Sequence, residues 1–443
     1  MTGQLLGSPE TIFYATCALL LLAVAVVAIV LKPALALWTL AVLFLTEFAT
    51  PVPLDTSLAK AGTTHIYPAD AVAVVLLIVT AIYLIRQPPP ARIMFPLAVA
   101  SVMFAVNLAL GVATFGLQHA VNESREWLYL LTTTAFVVAA PPWTSRLWRP
   151  WYALALGAIG LAWLGVAKHG LHSAASQIVI NGQLADGRPL NSAGASALAF
   201  ALIVLLGSRT ISLRRKIVFG TVATCTLIVV EQRTVWAVLV VVFLIWAAAS
   251  LRRHGTARHR RLAATGVAVL STAAVALAAG VATGNVFDQS LAETTAKHST
   301  FQWRVIGWTD LLSADHSAAG LLLGFPFGTG YRRIIDGQVV LANPHSFYVA
   351  TVLRLGLIGL VALAFLYWNV WRYRHQAATA LGISPLTVAL LLIALVIFSL
   401  TYLPTFVMTA QVAALLAWEP AREPHPAAGP VAAPAAQLLG ESP

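Results

Sequence analysis

The sequence predicts an all-α integral membrane protein with about 12 or 13 transmembrane helices and one large extracytoplasmic loop containing short amphipathic helices. Three observations carry this. Apolar residues make up 59% of the chain against 10% charged, and the mean hydropathy is +0.83, far outside the range of soluble domains. Runs of about 20 mostly apolar residues, the length that crosses a hydrocarbon core, recur from Thr11 nearly to Trp418. Basic residues fall in short clusters between those runs: Arg86 and Arg92, Arg146 and Arg149, Arg209 with Arg214, Arg215 and Lys216, the stretch 252–261, and Arg372 with Arg374. Such clusters set membrane orientation, positive side in, so the net charge of +11 implies topology and no nucleic-acid partner. Cys17 and Cys225 lie within apolar runs, where they act as small hydrophobes and imply no disulfide framework.

In chain order the expected spans are 11–31, 34–50, 69–85, 93–115, 126–142, 150–167, 190–207, 217–231, 234–250, 262–283, 346–368, 384–402 and 405–418. The first lacks a basic start and continues through Lys32 and Pro33 into the second, so it is expected to be retained and not cleaved as a signal peptide. Thirteen spans put the N-terminus outside; twelve require one merged pair or one re-entrant span. The domain reading is an N-terminal transmembrane bundle (1–283), an extracytoplasmic loop (284–345), C-terminal transmembrane helices (346–418) and a Pro/Ala-rich cytoplasmic tail expected to be disordered (419–443). With the basic clusters inside, 51–68, 116–125, 168–189 and 284–345 fall outside. The last carries Lys297, Arg304, Arg332 and Arg333 against Asp288, Glu293, Asp310, Asp315 and Asp336. Being near neutral, it does not need those arginines for topology, which makes them candidate ligand contacts. No internal repeat is evident, which weakens a transporter built from inverted halves.

The stretch "ANPHSFYVATVLRLGLIGL" (342–360) passes from a polar turn into an apolar helix. Asn343 is a good N-cap and Pro344 suits a first turn, so the helix is expected to begin near His345. A histidine there feels the positive end of the helix dipole, which lowers its pKa and favours the neutral, proton-accepting ring. Free backbone N–H groups at the same point suit an anionic phosphate. The plainer alternative is an interfacial histidine that only caps the helix. In "FQWRVIGWTDLL" (301–312), Phe301, Val305, Trp308 and Leu312 share one helical face, the pattern of an amphipathic helix on a membrane, with Arg304 flanking it at headgroup level. "GFPFGTGY" (324–331) is a tight turn, and no Lys-Ser/Thr follows to make it a phosphate loop. Glu231 and Arg233 interrupt apolar runs at an outward bend, Arg125 and Glu126 stand at the outer end of another span, and Arg188 stands at a third. Arg354 lies nine residues past His345, roughly 13 Å deeper at 1.5 Å per residue, and must sit inside the bundle or a wet cavity. Gly356 and Gly359 beside it permit close helix approach. Histidines and carboxylates show neither metal-ligand spacing nor a paired-carboxylate motif, so no metal or other cofactor is expected.

These residues, in this order, resemble the O-antigen ligase and polymerase family of membrane glycosyltransferases. The matches are Arg233 in "EQRTVW", Arg304 in "QWRVIGW", the turn "LLLGFPFGTGY", His345 with "GLIGL", and "GRPLNSAGASALA" leading into the span before Arg233; together they cover about residues 187–360. The pattern departs at Ser346, where the family usually has Asn, and at Arg354, where an acidic residue is common. The resemblance implies transfer of a glycan from a polyprenyl-pyrophosphate lipid to an acceptor hydroxyl on the outer face of the cytoplasmic membrane. In that chemistry His345 is the general base and Arg304 the catalytic cation, with Arg233, Arg125, Arg188 and Arg354 as pyrophosphate or substrate contacts. The implied partners are the lipid-linked donor, a glycan, lipid or wall-polymer acceptor, and membrane lipids. A ligase and a polymerase of lipid-linked repeat units share this chemistry and differ in acceptor. A lipid-linked saccharide transporter is the competing class, and it predicts polar residues spread along span interiors, whereas the notable arginines here gather at one face.

Overall fold

The computed structural model describes residues 9–48, 57–61, 64–140, 143–170, 177–180, 183–186, 188–252, 300–314, 316–335 and 338–417. They are mostly helical: α1 (Pro9–Leu31), α2 (Ala34–Leu43, running on as a π-helical turn Phe44–Phe48), α3 (Pro68–Arg86), α4 (Ala91–Phe115), α5 (Leu117–Ala139), α6 (Trp148–His169), α7 (Ser192–Gly207), α8 (Leu213–Val229), α9 (Arg233–Arg252), α10 (Thr300–Ser313), α11 (Ala318–Leu323), α12 (Phe347–Arg372), α13 (Arg374–Leu381), α14 (Pro385–Ser399) and α15 (Phe406–Ala413). Among the described residues four helices are long and apolar enough to cross a membrane, or five if α13 and α14, bent by 110°, form one span. The chain is thus a multi-pass helical membrane protein by length and composition. The larger number expected from sequence rests on shorter apolar helices, among them α2, α7 and α9, and on 262–283, which lies outside the described residues. The expected tail 419–443 lies outside them too.

Most expected spans match a helix to within a few residues, but α5 begins at Leu117, well before the expected 126. Its first turns, "LQHAVNESRE", are too polar for a hydropathy window. They are helical because one face is buried, with Ala120 and Ser124 in the core. Three antiparallel hairpins have no counterpart in the expected spans: β1–β2 (Ala59–Ala61, Thr64–Ile66), β3–β4 (Gln177–Ile180, Gln183–Asp186) and β5–β6 (Arg333–Ile335, Gln338–Val340). Each falls in one of the segments expected outside.

Contacts sort the helix ends into two groups. At one end Asn369 Nδ2 donates to Arg92 O (3.2 Å), the Arg92 guanidinium lies 4.4 Å from the Tyr373 ring centre, and Trp148 Nε1 donates to Leu381 O (2.9 Å). Lys216 is buried there with its ammonium on Leu206 O (3.0 Å) and Ser208 O (2.6 Å). This is the basic end. The starts of α3, α5, α7, α9 and α12 and the end of α14 meet at the other.

Helices α4, α5 and α12 are joined around one glycine break. Helix α12 is broken at Gly356, whose φ of 70° and ψ of 178° are open only to glycine. The turn 324–331 fills the break. Phe325 N donates to Leu353 O (2.8 Å), Phe327 N to Asn107 O (3.1 Å), and Asn107 Nδ2 to Leu323 O (2.8 Å) and Arg354 O (2.9 Å). A Cβ on Gly111 would overlap the Phe327 carbonyl, one on Gly356 the Leu322 carbonyl, and one on Gly324 would lie 2.6 Å from Arg354 O. Arg354, only 2% exposed, forms an ion pair with Glu123 of α5, donates from Nη2 to Gly330 O (2.6 Å) and lies 4.4 Å from the Tyr331 ring centre. The other oxygen of Glu123 accepts from Gly328 N (2.6 Å) and Gly330 N (3.2 Å).

Two outcomes follow for stability. Gly356→Ala should destabilise the protein by at least about 1–3 kcal/mol, the strain of a side chain in that backbone region, read as a lowered thermal midpoint in detergent. Glu123→Gln strands a buried guanidinium and should cost about 3–5 kcal/mol, whereas the double variant Glu123→Gln with Arg354→Met should recover much of the loss, because no unpaired charge remains.

Candidate functional site

Helix α12 begins at Phe347 and its N-cap is Ser346, whose hydroxyl accepts from Val349 N (3.5 Å). Asn343, expected to cap the helix, instead accepts from His345 N through Oδ1 (3.1 Å), an Asx turn that leaves His345 just outside the helix. Serine at 346 therefore does the capping that the helix start requires. His345 has a φ of 53°, and Glu231 (52°) is the other non-glycine residue with positive φ among the described residues. Three further groups fix the turn. Trp308 Nε1 donates to Pro344 O (2.6 Å), Asn343 Nδ2 donates to Glu126 Oε2 (3.1 Å), and Arg333 donates to Ala342 O (2.6 Å) and Asn343 O (3.4 Å).

Helix α10 brings Arg304 to this turn. Its Nη2 donates to Tyr402 Oη (3.3 Å) and its guanidinium carbon lies 4.8 Å from the Tyr402 ring centre. The His345 ring meets the same tyrosine edge to face at 6.3 Å, and Tyr402 is stacked on Phe398 at 5.1 Å. The expected apolar stripe on α10 is divided: Val305 and Leu312 are exposed, but Trp308 turns inward beside buried Gly307 and Leu311. The cause is Arg333, whose guanidinium lies under Gly307 and 5.1 Å from the Trp303 ring centre, so that α10 closes on the hairpin.

Burial pushes the His345 pKa down to about 4, helped by the charges of Arg304 and Arg333. The direction is the one expected from the helix dipole, and the causes are desolvation first and then the two guanidiniums. The ring is neutral at pH 7.

The remaining sequence candidates divide. Thr401 Oγ1 donates to Thr234 Oγ1 (3.2 Å), which sets Arg233, the first residue of α9, beside the segment carrying Tyr402. Arg188 Nη1 donates to Gln232 Oε1 (3.1 Å), so Arg188 and Arg233 share that corner. Arg125 is held elsewhere: it pairs with Asp70 (3.3 Å), donates to Asn122 Oδ1 (2.9 Å) and His65 O, and lies 4.8 Å from the Tyr67 ring centre. Arg354 is engaged by Glu123. Both therefore tie helices together and are not turned toward His345. The glycine-rich turn likewise directs its N–H groups at a protein carboxylate and not at a phosphate.

Sequence reasoning missed Tyr402, Glu123 and the role of Arg333. A near-neutral loop rich in arginine marked Arg333 as a candidate; nothing in "SLTYLPTF" marked Tyr402. Among the described residues no group of three or more His, Cys, Asp and Glu side chains converges as metal ligands would. No protein-family model matches this chain, and no curated protein sequence matches it significantly.

Arg304→Gln and Arg333→Gln should each raise the His345 pKa from about 4 toward the ordinary ~6.5, the first more than the second. Histidine ring NMR titration, with His345→Asn to assign the resonance, measures both.

Proposed function

We propose that this chain is a membrane glycosyltransferase of the O-antigen ligase type. It moves a glycan from a polyprenyl-pyrophosphate lipid to an acceptor hydroxyl at the outer face of the cytoplasmic membrane, in cell-envelope biogenesis. The observation that carries the reading is a neutral, half-buried histidine held in a strained turn with Arg304 beside it on Tyr402.

The acceptor oxygen attacks the anomeric carbon from the side opposite the leaving group and inverts it. The bond from that carbon to the pyrophosphate oxygen breaks, its electron pair stays on the pyrophosphate, and the hydroxyl proton passes to His345. Arg304 offsets the charge that develops on the leaving group, and Arg233 and Arg188 hold the far end of the pyrophosphate or its sugar. Arg333 is engaged by backbone carbonyls and acts on the position and charge of His345. A base with a pKa near 4 is weak, but a bound pyrophosphate cancels the field of the two guanidiniums. Donor binding thus raises the basicity of His345 at the moment it is needed. The sign follows: kcat/KM, which reports the free protein, should stay flat from pH 8 down to about 5 and fall toward 4, while the acid limb of kcat lies at higher pH.

Mass spectrometry of lipid-linked glycans in cells whose only copy is His345→Ala tests the reading. Accumulated finished chains identify a ligase, and accumulated single repeat units identify a polymerase with the same site. A pool unchanged from wild type removes His345 from the chemistry.

A further inference from the structure

Residues 318–331, "AAGLLLGFPFGTGY", contain no charged side chain. They belong to a connection between helices, where water-exposed turns are usually polar. Their position along two helices that qualify as membrane spans explains the composition. Phe325 N bonds to Leu353 O, six residues into α12, and the Leu322 carbonyl faces Gly356, nine residues in. At 1.5 Å per residue these points lie about 9 and about 13 Å along the axis from Phe347. On α4 the partner is Asn107, eight residues before Phe115, which gives about 12 Å independently. Both helices place the turn well below their own ends.

Irregular backbone at such a depth is tolerated where the protein pairs its polar groups, and most of the turn's N–H groups are paired here. Gly324 N bonds to Gly320 O, Phe325 N to Leu353 O and Phe327 N to Asn107 O, while Gly328 N and Gly330 N share the Glu123 carboxylate. Asn107 covers the Leu323 carbonyl, Arg354 that of Gly330, and the Thr329 hydroxyl that of Pro326. The side facing away from the bundle is apolar: Leu322 and Leu323 are 49% and 46% exposed. The Leu322 carbonyl faces Gly356, and the exposed α12 stripe of Leu357, Val361 and Phe365 begins one residue on.

We propose that residues 318–331 form a re-entrant element, descending as α11 into the hydrocarbon leaflet on the site side and turning back at the glycines. Leu322 and Leu323 contact lipid acyl chains. The Glu123 and Arg354 pair supplies the internal hydrogen bonds that water supplies elsewhere. This does not depend on the glycosyl-transfer reading.

The test places single cysteines at Leu322, Leu323, Val361 (a lipid-facing reference) and Arg332 (an exposed polar reference), with Cys17 and Cys225 changed to alanine. The full chain is labelled with a nitroxide and reconstituted in phosphatidylcholine/phosphatidylglycerol vesicles. Power saturation should give positions 322 and 323 an oxygen-to-nickel-chelate accessibility ratio like that of 361 and several-fold above that of 332. A ratio equal to that of 332 would put the turn in water and overturn the proposal. Low access to both reagents would mean that protein covers the two leucines, which would overturn it equally. Leu322→Trp, quenched by dibrominated lipid if the element is re-entrant and unquenched if it is not, gives the same decision should a labelled variant fail to fold.

Discussion

Arg354 carries its charge 2% exposed to solvent, in a mostly apolar stretch of α12, and such a charge is stable only if something nearby cancels it. Glu123 does so from α5, and its second oxygen gathers the amides of Gly328 and Gly330. One carboxylate therefore joins α5, α12 and the turn between α11 and β5. The geometry downstream depends on that junction. From Tyr331 the chain runs directly into β5, whose Arg333 clamps Ala342 and Asn343, and these set His345. The charge of Arg354 is thus matched by an opposite charge on another helix.

The site gains its character from position more than from composition. Both non-glycine residues with positive φ among the described residues, Glu231 and His345, flank it, one beside Arg233 and the other facing Arg304 through Tyr402. Strained backbone of this kind survives where surrounding contacts over-determine it, and Asn343, Trp308 and Arg333 all hold the turn at 342–345. Burial beside two guanidiniums keeps the imidazole neutral. A neutral base among cations is suited to an anionic leaving group and a hydroxyl nucleophile, because the anion relieves the part of the depression that the guanidiniums add to burial.

Much of the helical architecture was legible because a long apolar run has few alternatives: α3, α4, α6 and α12 lie close to where hydropathy puts them. The start of α5 was not, since a polar helix end buried on one face resembles a loop in any window average. His345 and Arg304 stood out from helix-start chemistry and from charge without a topological reason. Arg125 and Arg354 stood out for the same reason, yet their charges serve Asp70 and Glu123. A single chain of residues does not record which carboxylate meets which arginine across more than fifty positions. The hairpins and Tyr402 were hidden for the same cause, being defined by tertiary neighbours and not by local pattern.

The most direct test is transfer by the purified protein in vesicles, supplied with a polyprenyl-pyrophosphate-linked glycan and an acceptor, comparing wild type with His345→Asn. The account predicts that glycosylated acceptor and free polyprenyl pyrophosphate appear together in equal amounts. It also predicts that both fall roughly 10²- to 10⁴-fold in the variant, the range for loss of a general base, while donor binding persists. Undiminished transfer by the variant, or donor carried across the bilayer by wild type with no bond broken, would contradict it.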